Sequence, residues 1–475
     1  MTPAPRLKLL EASFYERPVR LRLPFRFGVV TLREAPQVFV RARIRLQDGR
    51  EGEGISAELL VPKWFDKSPE LTNEDNFKQL RRSLAIAQRH VIGAGSDTAF
   101  SLSAVSDAGH RAECIRAGLN GLVASFGLAL TERAIIDAFA RIAGMPAAEL
   151  VRANWLGLTT ALTPDLEGFD LHKFVTGLKP ADSIYVRHTV GLVDAIIRSD
   201  TADRRLNDGL PESLEEVITT YRHRYFKLKV SGKVDADVER LRQIAAVLDH
   251  ISEPYVVTLD GNEQYDNADA VIELWRRIGE DKRLARLKAS MLLIEQPITR
   301  ARALSEPIHA LAREVPVEVD ESDADFSVFP RARTLGYRGI SAKSCKGFYR
   351  ALLNRARVAK YNVDEGGGYF MSAEDLTTQG GVAVQQDLLL AALVGATHVE
   401  RNGHHYVDGM AGTPQAEQEA YLSAHGDLYQ RAADGRARLL IQDGAVSLRS
   451  IAKAKGLATS VMPDWSAMSP SPTVG

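Results

Sequence analysis

The chain opens with a two-residue rhythm. Val38, Val40, Ala42, Ile44 and Leu46 alternate with Phe39, Arg41, Arg43 and Arg45. Alternate side chains of an extended chain point to opposite faces, so this pattern predicts a strand with one apolar and one charged face. Gln47-Asp48-Gly49-Arg50 then supplies a hairpin turn, with glycine free to take positive φ. Residues 6–16 and 18–24 read as partner strands of an antiparallel sheet. The rhythm then lengthens. Ile135, Phe139 and Ile142 recur at helical spacing, Thr131 offers an N-cap hydroxyl, and Gly144 and Pro146 stop the run. Sheet followed by helix predicts an α+β domain over residues 1–150.

From about residue 184 short apolar runs alternate with helical segments. The runs cover 184–190, 225–230, 255–259, 291–294, 315–319, 339–342, 368–371 and 396–399. After the second, Val238, Leu241, Ala245 and Leu248 share one helical face. The middle runs end in Lys229, Asp260, Glu295, Asp320 and Lys343, spaced 31, 35, 25 and 23 residues apart. A strand–helix–strand step takes about 30 residues. Eight such units predict an α/β fold, a (β/α)8 TIM-like barrel over residues 151–425, with the α+β domain as its cap. Residues 438–448 carry Asp443-Gly444 between apolar runs. This predicts a hairpin returning to the first sheet, so that 426–475 completes the cap. The closing SAMSPSPTVG reads as a frayed tail.

Composition narrows the function. Lys and Arg number 60 against 61 Asp and Glu in 475 residues, a balance that argues against a nucleic-acid partner. Two cysteines, Cys114 and Cys345, make no disulfide framework. The opening residues lack the apolar core of a signal peptide, and the apolar stretch at 388–396 is far short of the ~20 residues that span a bilayer. The expectation is a cytoplasmic protein with no membrane partner.

The strand-end residues carry the chemistry, because a barrel gathers its functional groups where the strands end. Asp260 in TLDGNEQY, Glu295 in LLIEQP and Asp320 in VEVDES would point three carboxylates into one mouth. A hard divalent cation relieves their repulsion, and an all-oxygen donor set suits Mg²⁺. Lys227 and Lys229 share a strand face, and Lys343 ends a strand across the ring. Lysine is a poor base at its ordinary pKa of ~10.4, but neighbouring positive charge and burial lower it. The reading is proton abstraction next to a carboxylate, with a metal holding the enediolate. This arrangement of lysine base and magnesium is a known pattern of pKa tuning in enolases.

In order, Lys-x-Lys, Asp-x-Asn, Glu-Gln-Pro, Asp-Glu-Ser and Lys-x-x-Lys resemble the enolase superfamily. Within it the chain is most similar to the muconate lactonizing enzyme subgroup, because Lys343 stands where the mandelate racemase subgroup has a His-Asp dyad. The resemblance implies Mg²⁺, replaceable by Mn²⁺, on Asp260, Glu295 and Asp320. It implies Lys229 and Lys343 as an acid/base pair on opposite faces of a small carboxylate-bearing substrate, with Lys227 assisting, and a homo-oligomeric assembly. The activity implied is an isomerase, a racemase/epimerase or cycloisomerase. The runner-up is a dehydratase of an acid sugar or hydroxy acid, and a barrel that only binds its ligand is the reading outside catalysis. The chain departs from the family in its cap, where Gly52-Glu53-Gly54-Ile55 stands in place of Gly-x-Gly-Glu, and in extra length near 60–115, 193–215 and 400–425.

Other residues take plainer readings. Cys345 has no apparent histidine partner and reads as packing. His398, His404 and His405 follow the eighth strand and read as structural or surface residues rather than a second metal site. Gly366-Gly367-Gly368 reads as a turn. Cap loops 23–34 and 55–69, with Phe25, Arg26, Phe27, Lys63, Trp64, Phe65 and Lys67, are expected to face the metal.

Overall fold

A computed structural model describes residues 3–28 and 30–472. Strands β1 (Leu7–Phe27), β2 (Val30–Leu46) and β3 (Glu51–Leu59) form an antiparallel meander. Residues 6–16 and 18–24 are one continuous strand rather than two. Pro18 does not break it because its register partner is Pro36, so neither residue leaves an amide unpaired. Helices α1 (Asn73–Gly93) and α2 (Ala99–Arg116) account for much of the extra length near 60–115, and α3 (Gly121–Ala143) follows.

Helix α3 begins eleven residues before the predicted start. Its cap is Asn120, whose side chain accepts from Leu122 N and Val123 N. Thr131 lies mid-helix and donates its hydroxyl to the Gly127 carbonyl at 2.8 Å. The first half was missed because it is buried on all sides, and an all-apolar helix shows no 3.6-residue stripe. Gly54 explains the altered cap motif. A Cβ there would lie 2.1 Å from Ala138 N and 2.3 Å from Ala134 O, so only glycine lets β3 rest on α3.

Eight parallel strands follow: β4 (Ser183–Val190), β5 (Tyr225–Lys229), β6 (Val256–Asp260), β7 (Met291–Glu295), β8 (Val317–Val319), β9 (Gly339–Ala342), β10 (Phe370–Ala373) and β11 (His398–Arg401). Each falls on a predicted run. They pair in sequence from β4 to β10, and β11 pairs back onto β4. The ring is a barrel whose β10–β11 seam carries no hydrogen-bonded ladder among the described residues. The three-glycine segment is a turn with positive φ throughout, leading out of the helix Phe348–Glu365.

The return of the chain differs from expectation. Asp443-Gly444 does make a tight turn, but Ala445–Ser447 pairs antiparallel with the start of β4, so 438–448 adds to the barrel rather than the cap. The turn is pinned there because Val186 N donates to the Gly444 carbonyl at 2.7 Å. The cap sheet receives the chain later, at Ser469–Pro470 beside Tyr15 and Glu16 of β1. The middle of the supposed frayed tail, residues 469–471, is therefore held to β1; its last three residues lie outside the described ones.

Cap and barrel are joined by buried polar groups. Arg300 donates to the Trp64 and Phe65 carbonyls at 2.9 Å each, and Lys67 lies 2.5 Å from Glu263. Glu132 of α3 accepts from Ser103 Oγ at 2.5 Å and from Phe348 N at 3.1 Å. Burial pushes its carboxyl up to about 7 from an ordinary 4.5. A raised carboxyl favours the fold while protonated. Its contribution is full below about 4.5 and is lost as pH rises through about 7. The effect is on the order of 3 kcal/mol. Thermal unfolding of the Glu132→Gln variant should gain on the parent as pH rises across that window; a pH-independent gap between the two would count against it.

Candidate functional site

Short turns after the strands aim the functional groups. Asn262, Glu263 and Gln296 all have positive φ, which folds the chain back sharply after β6 and β7. Asn262 N donates to Asp260 Oδ1 at 2.8 Å. The Gln296 side-chain oxygen accepts from Asp320 N at 2.9 Å and Ser322 N at 3.1 Å, and its amide donates to Ser322 Oγ at 2.8 Å. The glutamine of Glu-Gln-Pro thus sets the backbone of Asp-Glu-Ser, which ties two of the sequence motifs together.

All six residues singled out in the sequence are buried at the barrel mouth. Lys227 Nζ lies 2.9 Å from Asp260, 2.6 Å from Glu295, 2.8 Å from Glu400 and 3.2 Å from Glu374. Lys229 Nζ is 2.5 Å from Asp260. Lys343 Nζ is 2.8 Å from Asp320, 3.9 Å from Glu295 and in contact with Glu374. Lys346, the last residue of the Lys-x-x-Lys motif, reaches Asp320 at 3.2 Å. The three expected carboxylates are therefore linked through the ammonium groups between them. The set whose oxygens all lie within 4.8 Å of one another is Glu295, Glu318 and Glu374, which shares only Glu295 with the expected triad.

The carboxylates at the mouth oppose the expected lowering of the lysine pKa. Burial does push Lys227 down, but the charges of Asp260, Glu295, Glu374 and Glu400 outweigh it and hold the ammonium well above the usual lysine range. Burial likewise pushes Lys343 down, and Asp320 and Glu374 carry it well above that range. Lys227 does not act on Lys229 alone, because both meet Asp260 and Lys227 also meets Glu295, Glu374 and Glu400.

The charge balance is informative. Asp260, Glu295, Glu318, Asp320, Glu374 and Glu400 are buried here against Arg187, Lys227, Lys229, Lys343 and Lys346, while Glu321 lies 3.5 Å from Lys67, so carboxyls are in excess. Protein groups alone can settle that excess only by keeping carboxyls protonated. Burial and neighbouring acids accordingly push Glu295 well up and Glu318 up to about 8. One oxygen of Glu321 and the side-chain oxygen of Asn262 lack hydrogen-bond partners despite burial, and Glu295 is met by the Lys227 ammonium at 2.6 Å. Buried hard oxygen donors in a cluster where carboxyls outnumber cations are what a divalent ion of the Mg²⁺ class fits.

One cavity collects these groups. Lys227, Lys229, Asp260, Asn262, Asp320, Lys343 and Glu400 line its floor, and Phe25, Phe27, Val61 and Trp64 of the cap line its other side. Lys343 Nζ sits 5.3 Å from the Trp64 ring centre. The cap loops 23–34 and 55–69 thus face the strand ends. No histidine lines this cavity among the described residues.

Sequence reasoning missed Glu374, Glu400, Glu318 and Arg187. Arg187 reaches Glu374 at 2.9 Å, and Thr189 donates to Glu400 at 2.7 Å. Reading the seventh strand two residues early, at 368–371, left Glu374 beyond its end. Two-residue alternation within HVER and VEV was the available signal for Glu400 and Glu318. His398 is half-buried and its Nδ1 meets the Arg187 guanidinium at 2.8 Å. His405 is buried and His404 mostly so, hence neither is a surface residue. Cys345 is buried in the core as expected.

No family model matches the chain, and no curated protein matches it in sequence. Solved structures do match in fold. An enolase from Bradyrhizobium complexed with magnesium and mandelic acid superposes with a TM-score of 0.60 at 17% identity, over 98% of each chain. The muconate lactonizing enzyme of Pseudomonas fluorescens, complexed with muconolactone, gives 0.58 at 16% identity over 97% of this chain and 98% of its own. A dipeptide epimerase from Enterococcus faecalis, complexed with Mg and the dipeptide L-Leu-L-Tyr, gives 0.56 at 12% identity over 92% and 99%. The fold is that of the enolase superfamily: a modified barrel with an α+β cap. Among the described residues no helix is long and apolar enough to cross a membrane.

Proposed function

We propose that the chain is a Mg²⁺-dependent enzyme of the enolase superfamily, near the muconate lactonizing enzyme subgroup, that moves a proton at the carbon next to a substrate carboxylate. The observation that carries this reading is the placement of Lys229 and Lys343. They come from β5 and β9, four strands apart in the ring, and both line one cavity with Asp260 and Asp320. Asp260, Glu295 and Asp320 would hold the ion. When bound, Mg²⁺ supplies Lewis-acid stabilisation of negative charge on carboxylate oxygens.

The remaining steps belong to the chain. One lysine, neutral at the start, takes the α-proton from one face. The other, protonated, returns a proton to the opposite face, which inverts the carbon and regenerates the pair in mirror form. Addition of a substrate carboxylate to a double bond, with proton delivery to the neighbouring carbon by one lysine, is the cycloisomerase outcome of the same parts. Lys227 holds Asp260, Glu295, Glu374 and Glu400 together against their mutual repulsion. Phe25, Phe27, Val61 and Trp64 close the cavity with an apolar wall, which suits a substrate whose carboxylate is attached to an apolar group and keeps water from the carbanion. Dehydration would have to use the second lysine to protonate the leaving hydroxyl, since among the described residues no histidine lines the cavity. The division into a cap of 1–150 with 426–475 and a barrel of 151–425 goes with this reading, with Ala445–Ser447 as the cap segment's excursion into the barrel sheet.

The test is exchange in D₂O. Dipeptides, N-acylated amino acids, muconates and sugar acids are incubated with the Mg²⁺-loaded protein, and the α-proton signal is followed by NMR. Loss of that signal for one class identifies substrate and reaction together. A chain that binds Mg²⁺ and a carboxylate yet exchanges no proton in any class is the non-catalytic barrel.

A further inference from the structure

Behind the barrel wall lies a cluster with no part in the chemistry above. Strand β4 sends Arg187 and Thr189 inward to Glu374 and Glu400, so alternation turns His188 outward. His223, two residues before β5, and His404, in the short helix Gly403–Tyr406 after β11, meet it there. His188 Nδ1 and His404 Nε2 are 3.2 Å apart. One ring nitrogen from each of the three lies within 4.8 Å of the others. We propose that His188, His223 and His404 form a metal site for a transition-metal ion of the Zn²⁺ class, separate from the carboxylate site at the barrel mouth.

The geometry suits such an ion. Zn–N bonds of about 2.0–2.1 Å in a tetrahedron put ligand nitrogens about 3.3 Å apart, close to the His188–His404 separation. The other pairs lie within 4.8 Å, so a small closure would bring all three nitrogens onto one ion. Simple core packing explains the cluster poorly. His188 and His223 are fully buried, yet neither ring nitrogen of His223 has a hydrogen bond of ordinary geometry, and Nδ1 of His404 has none either. Buried polar atoms are rarely left unpaired without a reason. Burial also holds all three imidazoles below their usual range, which leaves the neutral, lone-pair-bearing form that ligates. An all-imidazole set selects zinc, cobalt, nickel or copper over Mg²⁺. His404 also lines a cavity with Tyr221, Thr378 and Met410, the side from which an ion would enter. A bound ion would clamp β4, the approach to β5 and the segment after β11.

The experiment uses the full chain stripped with chelator and reloaded with Zn²⁺ or Co²⁺ alone. One Zn²⁺ should bind, with an X-ray absorption spectrum showing imidazole nitrogens at about 2.0–2.1 Å. Co²⁺ should give the intense visible bands of four-coordination. His223→Asn should weaken Zn²⁺ binding more than about 100-fold, beyond the usual cost of losing an outer-shell partner. Asp320→Asn should leave Zn²⁺ binding unchanged, as should His405→Gln, which alters a neighbouring ring outside the trio. If a histidine variant fails to fold, the absorption spectrum of the parent decides alone. Absence of bound Zn²⁺, an oxygen-only ligand shell, or binding lost in Asp320→Asn but kept in His223→Asn overturns the proposal. None of these readouts depends on turnover, so failure here leaves the proposed reaction untouched.

Discussion

Glu295→Gln is expected to remove the Mg²⁺-dependent rise in unfolding temperature while leaving the metal-free protein nearly as stable as the parent. At 100 times its dissociation constant, a ligand that binds only the folded state adds about 2.7 kcal/mol. The parent should show that gain on titration with Mg²⁺, and the variant should need more than about 100-fold more ion to reach it. The variant survives because burial, Asp260 and Glu374 all push the Glu295 carboxyl up, and Lys227 keeps Asp260, Glu374 and Glu400 as partners when Glu295 is replaced. Asp320→Asn should lose Mg²⁺ equally but behave differently without it. Lys343 at 2.8 Å and Lys346 at 3.2 Å both depend on Asp320, and removing one partner of a buried pair costs about 3–5 kcal/mol. Calorimetric titration and melting curves, with and without Mg²⁺, separate the two effects. A Glu295→Gln protein that keeps the parent's Mg²⁺ response would exclude Glu295 as a ligand.

The difference between those two carboxylates marks how far the sequence could be read. Strand-end spacing gave the eight barrel strands, since a parallel barrel repeats one local unit and each unit shows its own apolar run. The motifs gave Asp260, Glu295, Asp320, Lys229 and Lys343 for the same reason: each sits at the end of a run. What a local pattern cannot carry is which side chains meet across the ring. Lys227 looked like a neighbour that would depress Lys229, but four carboxylates from four other segments surround it. Glu374 was invisible because its strand has only four residues and begins after a glycine turn. The start of α3 was hidden because complete burial erases the amphipathic stripe. The site of the cap's return was missed because a turn signal such as Asp443-Gly444 names a reversal and not the strand it pairs with.

The second large effect concerns the two lysines. Lys229→Ala and Lys343→Ala should each lower turnover by about 10³-fold, within the span attributed to a positioned general acid or base. Proton exchange in D₂O should separate their roles more sharply than turnover does. If the reaction is racemisation or epimerisation, each variant should lose exchange from one substrate hand and retain it from the other, in opposite senses. If it is cycloisomerisation, only one variant should stop proton transfer at carbon. The starting state of the cavity bears on this. Lys343 is held charged by Asp320 and Glu374, so in the metal-free protein it is an acid and not a base. A cation taken up by Asp260, Glu295 and Asp320 would withdraw those carboxylates from the ammonium groups, and the lysines would then deprotonate more readily. Proton release should therefore accompany Mg²⁺ binding, and it should be seen by titrating in buffers of different ionisation enthalpy. Equal exchange from both hands in both variants, with no proton release on Mg²⁺ binding, would remove these lysines from the reaction.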